Sequence, residues 1–162
     1  MAKFDSTDVA ILELIQQDSR MTIKEIAGQL NLSTTPIFER LKRLEKQGVI
    51  KKYVAILDSK KLGKKLTAFI HISILDHSAK GLDDFVAQIM EHPEVMECHN
   101  VTGDSDFFLK IIVEDIEKYN EYLRNKLSKV PNIRRLKSSF SLSVKKETTA
   151  YELQLENLPH RY

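Results

Sequence analysis

The sequence predicts an α+β chain in two parts, an N-terminal winged helix-turn-helix over residues 1–58 and a C-terminal ferredoxin-like βαββαβ domain over residues 66–146. Two observations predict it. Apolar residues recur every three or four positions in three short runs before Gly48, and from Leu66 onward the period drops to two. With 162 residues, 42% of them hydrophobic and 30% charged, the composition is globular and the length suffices for two small domains.

The elements follow in order. Asp5 or Ser6 is the candidate N-cap of a first helix whose Val9, Ile11, Leu12 and Ile15 lie on one face up to Gln17. Thr22 with Glu25 three residues later is a capping-box signature for a second helix burying Ile26, Ala27 and Leu30. A tight turn at Asn31, Leu32 and Ser33 leads to a third helix, capped by Ser33 and running to about Gln47. Pro36 sits in its first turn, where a missing N–H costs nothing, and Gly48 closes it. Residues 49–57, rich in β-branched side chains, read as a strand or hairpin arm, the wing, and residues 59–65 as a linker.

In the second half, residues 66–75 alternate as a strand, and Leu82, Phe85, Val86, Ile89 and Met90 form a helical stripe ended by His92 and Pro93. Strands are expected over 95–101 and 107–113, joined by the turn 102–106. A helix carrying Ile116, Tyr119, Leu123 and Leu127 follows, and then a long strand over 133–144. That strand places Leu136, Ser138, Phe140 and Leu142 on one face and Lys137, Ser139, Ser141 and Ser143 on the other. The order β-α-β-β-α-β puts two helices on one face of a four-stranded antiparallel sheet. Its other face, carrying residues such as Phe69, Val101 and Phe107, would be buried by a second copy, so a homodimer is expected. In residues 147–162 the alternation of Tyr151, Leu153 and Leu155 fits an extra strand, with a mobile tail as the alternative.

Net charge is +2, but its distribution is uneven. Arg40, Lys42, Arg43, Lys46, Lys51, Lys52, Lys60, Lys61, Lys64 and Lys65 stand against only Glu45 and Asp58 in the stretch they span. Such a block either tracks a polyanion or is a solvated face. On the third helix Ile37, Leu41 and Leu44 point inward, while Thr35, Glu39, Lys42, Arg43 and Lys46 point outward. The outward set suits double-stranded DNA. Glu39 can accept from a cytosine amino group, Arg43 can fork onto guanine, and Thr34 or Thr35 can touch a thymine methyl or a phosphate. Lys42, Lys46, Lys51 and Lys52 are candidate backbone contacts, and Thr22, Ser33 and Arg40 complete the candidate DNA-binding set.

Several classes of function find no support. A lone Cys98 excludes an internal disulfide framework and a multi-cysteine metal site, and His71, His77, His92, His99 and His160 lack ligand spacing. No nucleophile motif, P-loop or dinucleotide fingerprint is present, so neither catalysis nor a cofactor is expected. No apolar run approaches the ~20 residues of a membrane span, and the N-terminus lacks a signal-peptide core, making an intracellular, reducing location the expectation.

Residues 32–50 (LSTTPIFERLKRLEKQGVI) resemble the recognition-helix segment of the Lrp/AsnC, or feast/famine, family of regulators. Residues 97–110 (ECHNVTGDSDFFLK) look like that family's effector-domain signature, and residues 5–18 (DSTDVAILELIQQD) like its first helix. The resemblance covers the chain through Lys146. It implies a RAM-type effector domain, homodimers assembling into octamers or related rings that wrap DNA in the cytoplasm, in association with the nucleoid, and an amino acid as effector. The family's ligand sits beside the glycine-aspartate turn at the contact between dimers, which transfers to Thr102, Gly103, Asp104 and Asp106, with Ser138 on the last strand. Gly103 would free backbone N–H groups for a ligand carboxylate, and Asp104 or Asp106 could receive an ammonium. Read as an isolated motif, the same turn is ordinary hairpin chemistry.

Overall fold

The computed structural model describes residues 4–157, and the chain divides into two compact units. One comprises the chain through Ile56 together with the segment from Lys146 onward, and the other spans Leu57–Lys145.

Three helices form the first unit: α1 (Ser6–Gln17), α2 (Ile23–Leu30) and α3 (Thr34–Lys46). Their boundaries are written in capping chemistry. Asp5 and Asp8 form a reciprocal capping box at α1, and Thr22 with Glu25 forms another at α2. Ser33 occupies the N-cap position of α3, but its side chain makes no capping hydrogen bond, contrary to the expectation, so the first N–H groups of that helix gain no bond from it. The α3 C-terminus closes as a Schellman motif: Gly48 N–H donates to the Glu45 carbonyl (2.9 Å) and Val49 N–H to that of Leu44 (3.0 Å), with Gly48 at φ +70°. Ile11, Leu12, Ile26, Ala27, Ile37 and Leu44 make the buried core between the helices.

The wing differs from expectation. Residues 51–58 form no strand, and Tyr53, Val54, Ile56 and Leu57 are exposed. β-branched side chains favour extended backbone, but a strand needs a partner to close its hydrogen-bond ladder, and among the described residues this segment has none. The C-terminal segment also departs from both alternatives. It pairs with no strand; instead Tyr151 N–H donates to Gln16 Oε1 (2.7 Å), Gln16 Nε2 donates back to the Tyr151 carbonyl (3.2 Å), and Leu153 packs against the helical core. The expected alternation therefore docks on α1, with a 3-10 turn over Leu155–Asn157; residues 158–162 of that expectation lie outside the described residues.

In the second unit, residues 59–63 fold as a turn held by Asp58, whose Oδ1 accepts from the backbone of Lys60 (2.9 Å) and Lys61 (3.2 Å). There follow β1 (Leu66–Ile74), α4 (Ala79–Met90), β2 (Val95–Asn100), β3 (Phe107–Val113), α5 (Ile116–Asn125) and β4 (Ile133–Phe140). The sheet order is β2-β3-β1-β4 with every pairing antiparallel, the ferredoxin-like arrangement. Strict alternation in β1 and β3 buries Ala68, Ile70, Ile72 and Ile74 with Phe107, Leu109, Ile111 and Val113 beneath Phe85, Ile89, Tyr119 and Tyr122 of the helices. Phe107, expected on the open face, thus belongs to the core, its ring 4.5 Å from that of Phe85. Its neighbour Phe108 takes the open face, stacked on Phe69. The last strand stops at Phe140 rather than continuing to residue 144, because pairing with β1 ends at Ala68 opposite Phe140; Leu142 beyond it is fully exposed.

Candidate DNA-binding helix and effector pocket

α3 presents two kinds of basic residue. Thr35, Glu39, Lys42 and Lys46 recur at helical spacing on its exposed face, with Thr34 at its start. The Lys42 ammonium lies over the exposed Phe38 ring, 4.5 Å from its centroid. Arg40 and Arg43, by contrast, turn toward α1 and converge on Asp8, which is completely buried. Arg40 Nη1 donates to Asp8 Oδ1 (2.8 Å) and Asp5 Oδ2 (2.6 Å), and Arg43 Nη2 to Asp8 Oδ1 (2.5 Å). Burial pushes the Asp5 carboxyl up, but its bonds to Arg40 and to the α1 backbone outweigh that and hold it below its ordinary range; the same carboxylates raise Arg40 further.

Arg43, expected to fork onto guanine, is held by Asp8 through Nη2 in this structure, with its side chain 43% exposed. A carboxylate taken out of water on α1 requires cationic partners, and the two arginines supply them. Thr22 is exposed, but its hydroxyl donates to Glu25 Oε2 (2.8 Å) and accepts from Glu25 N–H (3.2 Å), so it is committed to the cap. Lys51 and Lys52 are exposed on the irregular segment after Gly48. There the Tyr53 hydroxyl donates to Glu45 (2.9 Å); burial and the neighbouring carboxylate push its pKa up to about 12.

The second site lies on the open face of the sheet. A depression of about 490 Å³ is lined by His71 and Ser73 of β1, Val101, Thr102, Asp104 and Ser105 of the β2–β3 turn, Phe108 of β3, and Arg135, Lys137 and Ser139 of β4. The turn is anchored from β1 and β4: the Asp104 carbonyl accepts from Ser73 Oγ and from Arg135 Nη2, both at 3.3 Å, and His71 Nδ1 lies 3.3 Å from Ser105 Oγ. Gly103 sits at φ +116°, a conformation that favours glycine, and turns the chain so that Asp104 projects outward. Among the described residues the Asp104 carboxylate and the Lys137 ammonium have no hydrogen-bonded or ionic partner.

Of the expected effector residues, the structure brings Thr102 and Asp104 into the lining of this depression, leaves Gly103 in the turn between them, and takes two away. Asp106 is spent on structure: its Oδ2 accepts from Ile74 N–H (2.9 Å) and its Oδ1 lies 3.0 Å from His77 Nε2, contacts that lower its pKa. Ser138 points to the opposite face, where its hydroxyl accepts a short hydrogen bond from Tyr119. The strand parity that placed Ser138 with Leu136 already assigned it to the helix side, and the same parity puts Lys137 and Ser139 beside the turn. His71, Ser73 and Arg135 were missed because only the β1–β4 register, His71 opposite Lys137 and Ser73 opposite Arg135, brings them together. Among the described residues no cluster of His, Cys, Asp or Glu could hold a metal, and no helix is long and apolar enough to cross a membrane.

A helix-turn-helix joined to a separate domain with a ligand-sized depression is the architecture of a DNA-binding transcriptional regulator with a small-molecule effector domain. Comparison with known proteins agrees. The winged helix-turn-helix DNA-binding family matches residues 4–51, and the Lrp/AsnC ligand binding domain matches residues 67–151. The DNA-binding transcriptional activator DecR of Escherichia coli K12 is 35% identical over 150 residues, covering 93% of this chain and 99% of that one. An AsnC family regulator of Agrobacterium tumefaciens superposes with a TM-score of 0.87 at 36% identity, covering 94% and 98% of the two chains. A Neisseria meningitidis regulator in complex with L-Met does so with 0.87 at 32%, covering 92% and 96%. The chain belongs to the Lrp/AsnC family of transcriptional regulators. It is a regulator and not an enzyme.

Proposed function

We propose that this chain binds specific DNA sites as a homodimer that assembles further, into an octamer or related ring, and that an amino acid held at the 102–104 turn shifts its assembly or DNA affinity. The protein works at the nucleoid in the cytoplasm. Base contacts come from Thr34, Thr35 and Glu39, and phosphate contacts from Lys42, Lys46, Lys51 and Lys52. Two recognition helices related by a dimer axis meet half-sites one or more helical turns apart.

The observation that carries the effector reading is the Asp104 carboxylate, unpartnered at the rim of a depression that also holds cations. A free amino acid is the small molecule with one group for each. Its effect is limited by its differential affinity for the two assembly states. Light-scattering mass and thermal stability across the twenty amino acids, alongside a gel-shift assay on the protein's own promoter, test the proposal. One amino acid raising stability and altering mass or shift is the expected result. A protein that binds DNA but answers to none is an effector-independent DNA binder, and its Gly103 turn is then a structural hairpin. Asp104→Ala should abolish the response and leave DNA affinity intact.

A further inference from the structure

The α3 side chains that fill the helical core are Ile37 and Leu44, with Leu41 packed against them, whereas the Phe38 ring is left 41% exposed. A single exposed aromatic is ordinary on a protein surface. Its position on this helix is what gives it a partner. Positions 34, 38, 42 and 46 recur at helical spacing, so Thr34, Phe38, Lys42 and Lys46 form one row along α3, beside Thr35 and Glu39, and all six are exposed. In a helix-turn-helix the second helix of the motif lies in the major groove, with its N-terminal part against the base edges. α3 is that helix in the segment matching the winged helix-turn-helix family, and Phe38 falls in its N-terminal half.

The chemistry of the ring narrows what it can read. A phenyl group has no donor or acceptor to offer a base edge. Of the groups that the four bases show in the major groove, all are donors or acceptors except one, the C5-methyl of thymine. The Lys42 ammonium rests over the ring, 4.5 Å from its centroid, so an apolar surface and a phosphate-seeking cation are presented to the groove together.

We infer that Phe38 is a specificity-determining residue, packing its ring on a thymine methyl group in the major groove and so favouring thymine at one position of each half-site. This inference rests on the reading of α3 as the helix that meets the bases, and adds to it a residue and the base it selects.

A deoxyuridine scan tests it. Duplexes bound by the full-length protein are selected from a random pool, and each thymine of the selected site is replaced singly by deoxyuridine, which removes the methyl and keeps every hydrogen-bonding group. At one thymine per half-site wild type should lose about four-fold in affinity, the worth of burying one methyl group. In Phe38→Ala the same replacement should cost less than about 1.5-fold, the coupling that a double-mutant cycle reads. That variant should melt near wild type, since the ring lies outside the core, and Phe38→Leu, which keeps an apolar tip, should retain part of the sensitivity. A wild type indifferent to every replacement would overturn the inference without recourse to any variant. So would a sensitivity that persists in Phe38→Ala, and one lost instead in Thr34→Ala or Thr35→Ala would hand the methyl to the threonine. Loss in Phe38→Leu as complete as in Phe38→Ala would give the ring the task of holding Lys42 and overturn the methyl contact. A protein that binds DNA but selects no sequence from the pool would remove the base-reading role of α3 itself, and the inference with it.

Discussion

Asp8 and Asp106 show how single carboxylates divide structural from functional duty. Asp8 is fully buried and shared by two arginines whose side chains remain 27% and 43% exposed. Its removal strands two cations at the α1–α3 contact. Asp8→Ala should destabilise the helical unit by about 2 kcal/mol, less than the 3–5 of a wholly buried pair because the arginines can turn to water; urea unfolding measures it, and an unchanged midpoint would refute the role. For Asp106, the Ile74 N–H and the His77 ring hold the carboxyl below its ordinary 3.8. A depressed folded pKa means that its contribution is complete above 3.8 and is lost as pH falls through the lower folded value. Wild type should therefore be more stable than Asp106→Asn at neutral pH, with the gap narrowing in acid. Acid titrations of both proteins check this, and a gap independent of pH would show that the charge is not what stabilises the turn.

At the scale of the element, α3 is amphipathic with a divided polar surface. One flank is bound to α1 through Arg40 and Arg43, and the outward face carries Lys42 and Lys46. Reversing Arg43 would set a carboxylate against buried Asp8 and unsettle the fold, so loss of DNA binding in that variant proves nothing about recognition. The double change Lys42→Glu and Lys46→Glu avoids this. It should leave the melting temperature near wild type while weakening DNA binding and lowering the slope of log affinity against log salt by about 2, near 0.9 for each phosphate that is no longer neutralised. An unchanged slope would remove both lysines from the interface. The helices and their ends were legible in the sequence because caps are local: Thr22 with Glu25, and Gly48 after Lys46, act within four residues. The wing was not, because a strand exists only through a partner that propensity cannot supply.

For the whole molecule, the segment from Lys146 onward belongs to the helical unit through Tyr151 on Gln16 and Leu153 on the core. A chain ending at Lys145 should lose thermal stability in that unit alone, by a few degrees, while the sheet unit melts as before. Calorimetry that shows the sheet unit shifting instead would contradict the division. The open sheet face, with Phe69 stacked on Phe108, is where the sequence places a second copy.

By itself the sequence determined the α+β class, the order of helices and strands, the family and the position of the Gly103 turn. Each of these is carried by periodicity, by capping pairs or by short contiguous motifs, all of which act over a few residues. Tertiary structure decided which side chains meet. It drew Arg40 and Arg43 to Asp8, sent Phe107 into the core and Phe108 to the open face, and gathered Arg135, Lys137 and His71 around Asp104. These outcomes depend on strand register and helix docking, which join residues far apart in the chain, and a one-residue change of register moves every side chain to the opposite face.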